Sequence, residues 1–144
     1  MIAVDTNILV YAHRRDSPDN ALAHRHLRAL ATGDRTWGIP WPCIHEFIAV
    51  VTSPRIYVEP AGVRRAFEQV QDWARSPTCA LLGETDEHLG RLEALLTQSG
   101  VRGGGVHDAR IAAICLEHGV TELWSVDRDF QRFPGLRVVN PLSA

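Results

Sequence analysis

At 144 residues with 45% hydrophobic content, the chain can bury one core but not two, so a single domain over residues 1–144 is expected. The formal charge of −2 and a pI near 6.4 lack the positive excess usual in nucleic-acid binders and count against that class. All fifteen cationic side chains are arginine, which reads as a compositional trait and excludes lysine-dependent chemistry such as a Gly-Lys-Ser phosphate loop or a receiver domain.

The N-terminal stretch Ile2–Val10 is an apolar run opened in its middle by Asp5, Thr6 and Asn7. A short β-branched run ending in Asp, followed by a helix-capping pair, reads as a strand delivering a carboxylate to the C-terminal edge of a parallel sheet. A short helix then runs to about Ala12, and Ser17-Pro18 starts a second one to about Ala31, striped by Leu22, Ala23, Leu27, Leu30 and Ala31. His24 and His26, two apart, fall on different faces and read as solvated. Thr36–Pro40 is a strand, and Trp41-Pro42 opens a helix through Cys43–Thr52 that is apolar on nearly every face and therefore expected to be buried. Glu46 is its sole carboxylate. Burying it charged costs several kcal/mol unless a cation or donor meets it, so a structural arginine pair and a site role stand as equal readings.

A loop with Arg55 and Tyr57 leads to a helix from about Pro60 to Ala74, whose apolar stripe is Val63, Ala66, Phe67, Val70, Trp73 and Ala74. Cys79–Leu82 is a strand. The next helix starts at Thr85, with His88 where a full capping box has Glu, and ends at Gly100. Gly103-Gly104-Gly105 precede a buried helix, Val106–Gly119, with Asp108 in its first turn, as a cap or as a site acid favoured there by the helix dipole. A strand at Glu122–Val126 ends in Asp127-Arg128-Asp129-Phe130, and Leu136–Val139 closes the chain. Alternating strands and amphipathic helices imply a parallel sheet covered by helices.

No apolar run approaches the roughly 18 residues that span a bilayer, and no basic region precedes one at the N-terminus, so a cytoplasmic protein without membrane contact is expected. Cys43, Cys79 and Cys115, odd in number and without a Cys-x-x-Cys pair, read as reduced core thiols. Asp5, Glu46, Asp108 and the Asp127/Asp129 pair can converge on one sheet edge. Carboxylates sharing a pocket raise one another's pKa unless a divalent cation sits among them, and an all-oxygen set suits Mg²⁺ or Mn²⁺.

Val4-Asp5-Thr6-Asn7, Glu46, His107-Asp108-Ala109-Arg110 and Ser125-Val126-Asp127-Arg128-Asp129-Phe130, in that order, resemble the PIN-domain nucleases, and among them the VapC toxins of bacterial VapBC toxin–antitoxin systems. The closing segment through Phe133-Pro134-Gly135-Leu136 and Asn140-Pro141-Leu142 is similar to a subgroup common in mycobacteria. The resemblance spans essentially the whole chain. It implies a three-layer α/β/α PIN-like fold with a mainly parallel central sheet. It also implies a Mg²⁺-dependent endoribonuclease that cleaves RNA by metal-activated water, arrests translation, dimerises, and is held inactive by a cognate VapB-type antitoxin.

Position by position, Asp5 and Asp108 match the family's metal ligands, Glu46 its buried acid, and Asp127 its fourth acid. Asp129 either completes the site through water or caps the turn at Phe130. Thr6 or Asn7, and Ser125, would orient the carboxylates by hydrogen bonds. Arg14, Arg15, Arg110 and Arg128 are candidates for RNA or antitoxin contact, set against ordinary surface charge. The alternatives are an RNA-processing PIN nuclease that is not a toxin, or a catalytically silent scaffold, which would be expected to lose acids that this chain keeps. A haloacid-dehalogenase-type phosphatase needs a second Asp two residues after the first, where Asn7 stands.

Overall fold

Ile2–Val4 forms strand β1, buried at every position, and it lies at the centre of the sheet with two strands on either side. A computed structural model describes residues 1–143. After β1 come helix α1 (Thr6–His13), α2 (Asn20–Thr32), strand β2 (Trp37–Pro40), α3 (Trp41–Val51), α4 (Val63–Ala74) and β3 (Cys79–Leu82). They are followed by α5 (His88–Ser99), α6 (Val106–Glu117), β4 (Glu122–Trp124) and β5 (Arg137–Val139), with 3-10 turns at Gly103–Gly105 and Arg128–Arg132.

The five strands run parallel in the order β3-β2-β1-β4-β5, giving the expected α/β/α sandwich. The chain builds outward from β1 through β2 to β3, then returns to β1's other side with β4. The order therefore reverses between β1 and β4, and at such a reversal the flanking loops diverge and leave a crevice beyond the strand C-termini. Asp5 follows β1 and Ser125 follows β4, so both flank that crevice. Among the described residues, no helix is long and apolar enough to cross a membrane.

Three helices begin later than the sequence pattern predicts. At α2, Ser17 and Pro18 make a turn in which the Asp19 amide donates to Ser17 Oγ (3.2 Å), and the helix starts at Asn20. The Asn20 side chain is committed to the end of α1, donating to the Tyr11 and Ala12 carbonyls at 2.8 and 3.1 Å. Helix α4 starts at Val63 after an extended Gly62. At α5 the glutamate missing from the capping box comes from another helix: Glu117 Oε1 accepts from the Thr85 amide (2.9 Å) and hydroxyl (2.7 Å), while Oε2 contacts His88 Nδ1 (2.7 Å). Burial pushes the Glu117 carboxyl up, but these bonds outweigh it and hold it below its ordinary value.

Two expected burials fail. Val63 and Phe67 on α4 are 61% and 47% exposed, and α3 buries Cys43, Ile44, Phe47 and Val51 while turning His45, Glu46 and Ala49 to solvent. Helix α3 packs on α1, α4 and β2 and leaves His45, Glu46 and Ala49 exposed. His26, expected to be solvated, sets its ring edge against Trp124 at 5.6 Å. Cys43 and Cys115 are buried as expected, whereas Cys79, on the edge strand β3, is only half-buried.

The sheet centre tolerates no extra volume at Gly38. A methyl group there would lie 2.8 Å from Leu82 Cδ1 and 3.0 Å from the Ala80 carbonyl oxygen of the neighbouring strand. Gly38→Ala is therefore expected to destabilise the protein by about 1–3 kcal/mol in urea denaturation, and an unchanged midpoint would contradict this packing.

Candidate metal centre

Asp5 is carried to the sheet edge by β1, and its amide continues the ladder by donating to the Trp124 carbonyl (2.9 Å). Its carboxylate is 5% exposed and is met by neutral donors: Ser125 Oγ (2.7 Å) and Asn7 Nδ2 (3.3 Å) on one oxygen, and the Cys43 thiol (3.5 Å) on the other. Asn7 Oδ1 accepts from the Val126 amide (3.4 Å) and Ser125 Oγ from the Asp127 amide (3.0 Å). One network thus orients Asp5 and ties it to the backbone that bears Asp127. Thr6 is different. Its buried hydroxyl lies near Glu46 and Cys43 but completes no hydrogen bond of good geometry.

The remaining acids arrive from three directions. Glu46 stands on the exposed face of α3, Asp108 in the first turn of α6, and Asp127 at the head of the 3-10 turn after β4. Asp5, Glu46, Asp108 and Asp127 all line one cavity of about 310 Å³, with Tyr11, Tyr57 and Phe130 among its other walls. Asp129 does not line it. It nonetheless offers an oxygen to a tighter group, in which one oxygen each from Asp108, Asp127 and Asp129 lie within 4.8 Å of one another. The turn cap foreseen for Asp129 is made by Asp127, whose Oδ1 accepts from the Asp129 amide at 2.9 Å. Fully buried Phe130 and Phe133 anchor this turn in the core.

These charges act on each other. Burial pushes the Asp5 carboxyl above its ordinary value, its hydrogen bonds pull back, and the Asp127 charge adds to the rise. Glu46 is raised by partial burial and then by the Asp5 and Asp108 charges. Asp108 is raised by burial and by Asp127, against an opposing pull from Arg132. Arg132 Nη2 donates to Asp108 Oδ2 at 3.3 Å and is the sole salt-bridge partner of any of these acids among the described residues. The arginine partner weighed for Glu46 is absent from that set. An all-oxygen group with surplus negative charge fits a hard divalent cation.

The predicted arginines have separate fates. Arg14 is engaged: its guanidinium pairs with Asp16 (2.6 Å), donates to the Glu59 carbonyl (2.9 Å) and stacks on Tyr57 (3.7 Å to the ring centroid). Arg110 donates through Nε to Glu84 (2.6 Å), while Arg15 and Arg128 are exposed. Two contributors escaped the sequence reading. Cys43 gave no signal beyond its apolar neighbours. Arg132 gave none either, since its tie to Asp108 spans twenty-four positions.

Residues 2–136 match the PIN domain family. Ribonuclease VapC43 of Mycobacterium tuberculosis is 36% identical over 142 residues, covering 99% of this chain and 96% of that protein. Ribonuclease VapC37 of the same organism is 32% identical over 141 residues, covering 98% and 97%. The fold is shared with VapBC2 from Rickettsia felis, solved bound to a promoter DNA fragment (TM-score 0.68, 20% identity, 96% and 98% covered). It is also shared with the Mycobacterium tuberculosis toxin VapC20, described as cleaving the sarcin–ricin loop (TM-score 0.66, 17% identity, 95% and 99% covered).

Mutual repulsion makes a prediction for the metal-free protein. A carboxyl whose pKa is raised in the folded state stabilises below its unfolded value of about 4 and loses that contribution as pH rises through the folded one. Glu46→Gln in EDTA should therefore match the wild type near pH 4 and melt progressively higher than it as pH rises to neutral, measured by circular dichroism. A variant that melts lower at neutral pH would contradict the repulsion.

Proposed function

This chain belongs to the PIN domain family, in the branch of the VapC ribonucleases, and from that premise we propose that it is a metal-dependent endoribonuclease acting as the toxin of a toxin–antitoxin pair. The observation that carries the reading is the meeting of Asp5, Glu46, Asp108 and Asp127 in one cavity at the reversal point of the sheet. Asp108 and Asp127, with Asp129 beside them and Asp5 across the cavity, would hold Mg²⁺ or Mn²⁺. When bound, the ion would offset charge on the scissile phosphate and lower the pKa of a water, so that it gives up its proton more readily and becomes the nucleophile.

The chain's own groups do the rest. Ser125, Asn7 and Cys43 keep the Asp5 carboxylate in a fixed orientation, so no side-chain reorganisation is needed when substrate arrives. Glu46 lies at the solvent side of the cavity with a raised pKa, suited to accept the water's proton on a carboxylate oxygen as the new O–P bond forms. The bond from phosphorus to the leaving ribose oxygen breaks, and that oxygen takes a proton from solvent. Arg132, already beside Asp108, limits the negative charge that the phosphate meets.

The same reading brings a VapB-type antitoxin as partner, a homodimer and arrest of translation. Exposed Ile56, Val58, Val63 and Phe67 supply apolar surface for protein contact. A small upstream reading frame whose product binds the chain and suppresses cleavage is expected, and its absence would favour an RNA-processing nuclease. In the purified protein, labelled RNA should be cut in Mg²⁺ or Mn²⁺ and left intact in EDTA, and Asp5→Asn should slow cleavage at least about 100-fold. Cleavage indifferent to both changes would overturn the assignment.

A further inference from the structure

Pro42, His45, Glu46 and Ala49 recur at helical spacing on one face of α3, and His107, Arg110 and Ile111 on one face of α6. The two faces enclose a second cleft of about 390 Å³. It shares Glu46 and Ile111 with the acidic cavity, so these two side chains form a wall between neighbouring hollows. Their chemistry differs sharply. Past Glu46 the second cleft has no carboxylate, an apolar floor, and a rim of two imidazoles and a guanidinium.

The rim is organised for contact. His45 and His107 are exposed, and the His45 ring is steadied by Trp41, with centroids 5.9 Å apart and planes at 41°. Trp41 is itself 40% exposed. Arg110 spends its Nε on Glu84, and its Nη groups make no hydrogen bond among the described residues. The cleavage chemistry proposed above uses none of these side chains.

We propose that this cleft is a nucleotide subsite, holding one unpaired base of the RNA against the His45 and His107 rings while the adjoining phosphate lies on the Arg110 Nη groups. The inference rests on the ribonuclease reading and deepens it by naming the substrate class. Flat π-faced groups bind bases by stacking without demanding a sequence, and a base inside a duplex has both faces covered, so the occupant is single-stranded. The Arg110 guanidinium and the apolar lining complement the strand, and the wall shared with the acidic cavity puts the base beside the phosphate to be cut.

The test uses the Asp5→Asn chain in Mg²⁺, with the unsubstituted chain in EDTA as a second background. Fluorescein-labelled probes of about ten units are titrated by anisotropy: oligoadenylate, base-free ribose phosphate, and oligoadenylate paired to oligouridylate. Oligoadenylate should bind about tenfold tighter than either other probe. His45→Ala with His107→Ala should erase that preference without changing the melting temperature or base-free affinity, and Arg110→Gln should weaken both single-stranded probes alike.

Equal binding of the two single-stranded probes, or a double variant that keeps the preference, overturns the subsite; the latter is what a cleft reserved for a protein partner would give. Either result with RNA cleavage intact leaves the ribonuclease reading standing, whereas no cleavage and no binding of any probe strikes at that reading itself.

Discussion

Four carboxylates share one small cavity, and their repulsion is the constraint to which the rest of the structure answers. A fold gains nothing from this arrangement while the charges are unmatched: burial and like charge both favour the protonated forms of Asp5, Glu46 and Asp108. The surrounding donors supply only part of a remedy. Ser125, Asn7 and Cys43 stabilise the Asp5 carboxylate without bringing positive charge, and Arg132 reaches Asp108 alone. Such a residual imbalance is what a binding site for a divalent cation requires, since a fully neutralised cluster would have little affinity left for one.

Topology explains how residues more than a hundred positions apart come together. With β1 central and the strand order reversing between β1 and β4, the loops leaving those strands diverge and leave room for chemistry between them. Asp5 and Asp127 enter on either side of that reversal, while α3 and α6 contribute Glu46 and Asp108 from above. Facing residues of α3 and α6 also line the second cleft, so an acidic hollow and one bearing imidazoles and a guanidinium share Glu46 and Ile111 as a wall. A protein with net charge of −2 can in this way present local positive groups beside its acids.

Much of this was legible in the residue order, because its signals are local. A β-branched run ending in Asp5, an acid in the first turn of a glycine-led helix, and a strand running into Asp127 each announce themselves within a few positions. What stayed hidden depends on contacts across the chain. The apolar composition of α3 implied a buried Glu46, but the helix buries Cys43, Ile44, Phe47 and Val51 and leaves Glu46 exposed. The turn ahead of α5 is held by Glu117, thirty-two positions downstream of the Thr85 it accepts from, beyond the reach of any helix-start pattern. Arg132 and Cys43 likewise acquire meaning only once the sheet brings them to Asp108 and Asp5.

The most direct measurement is an anomalous-scattering crystal structure of the protein equilibrated with Mn²⁺. A peak within the acidic cavity, bonded by Asp108 and Asp127 at about 2.2 Å, with Asp5 and Glu46 turned toward it, is the predicted result. A cavity without manganese at saturating concentration, or a peak held by other residues, would contradict the claim that these carboxylates are assembled around a metal.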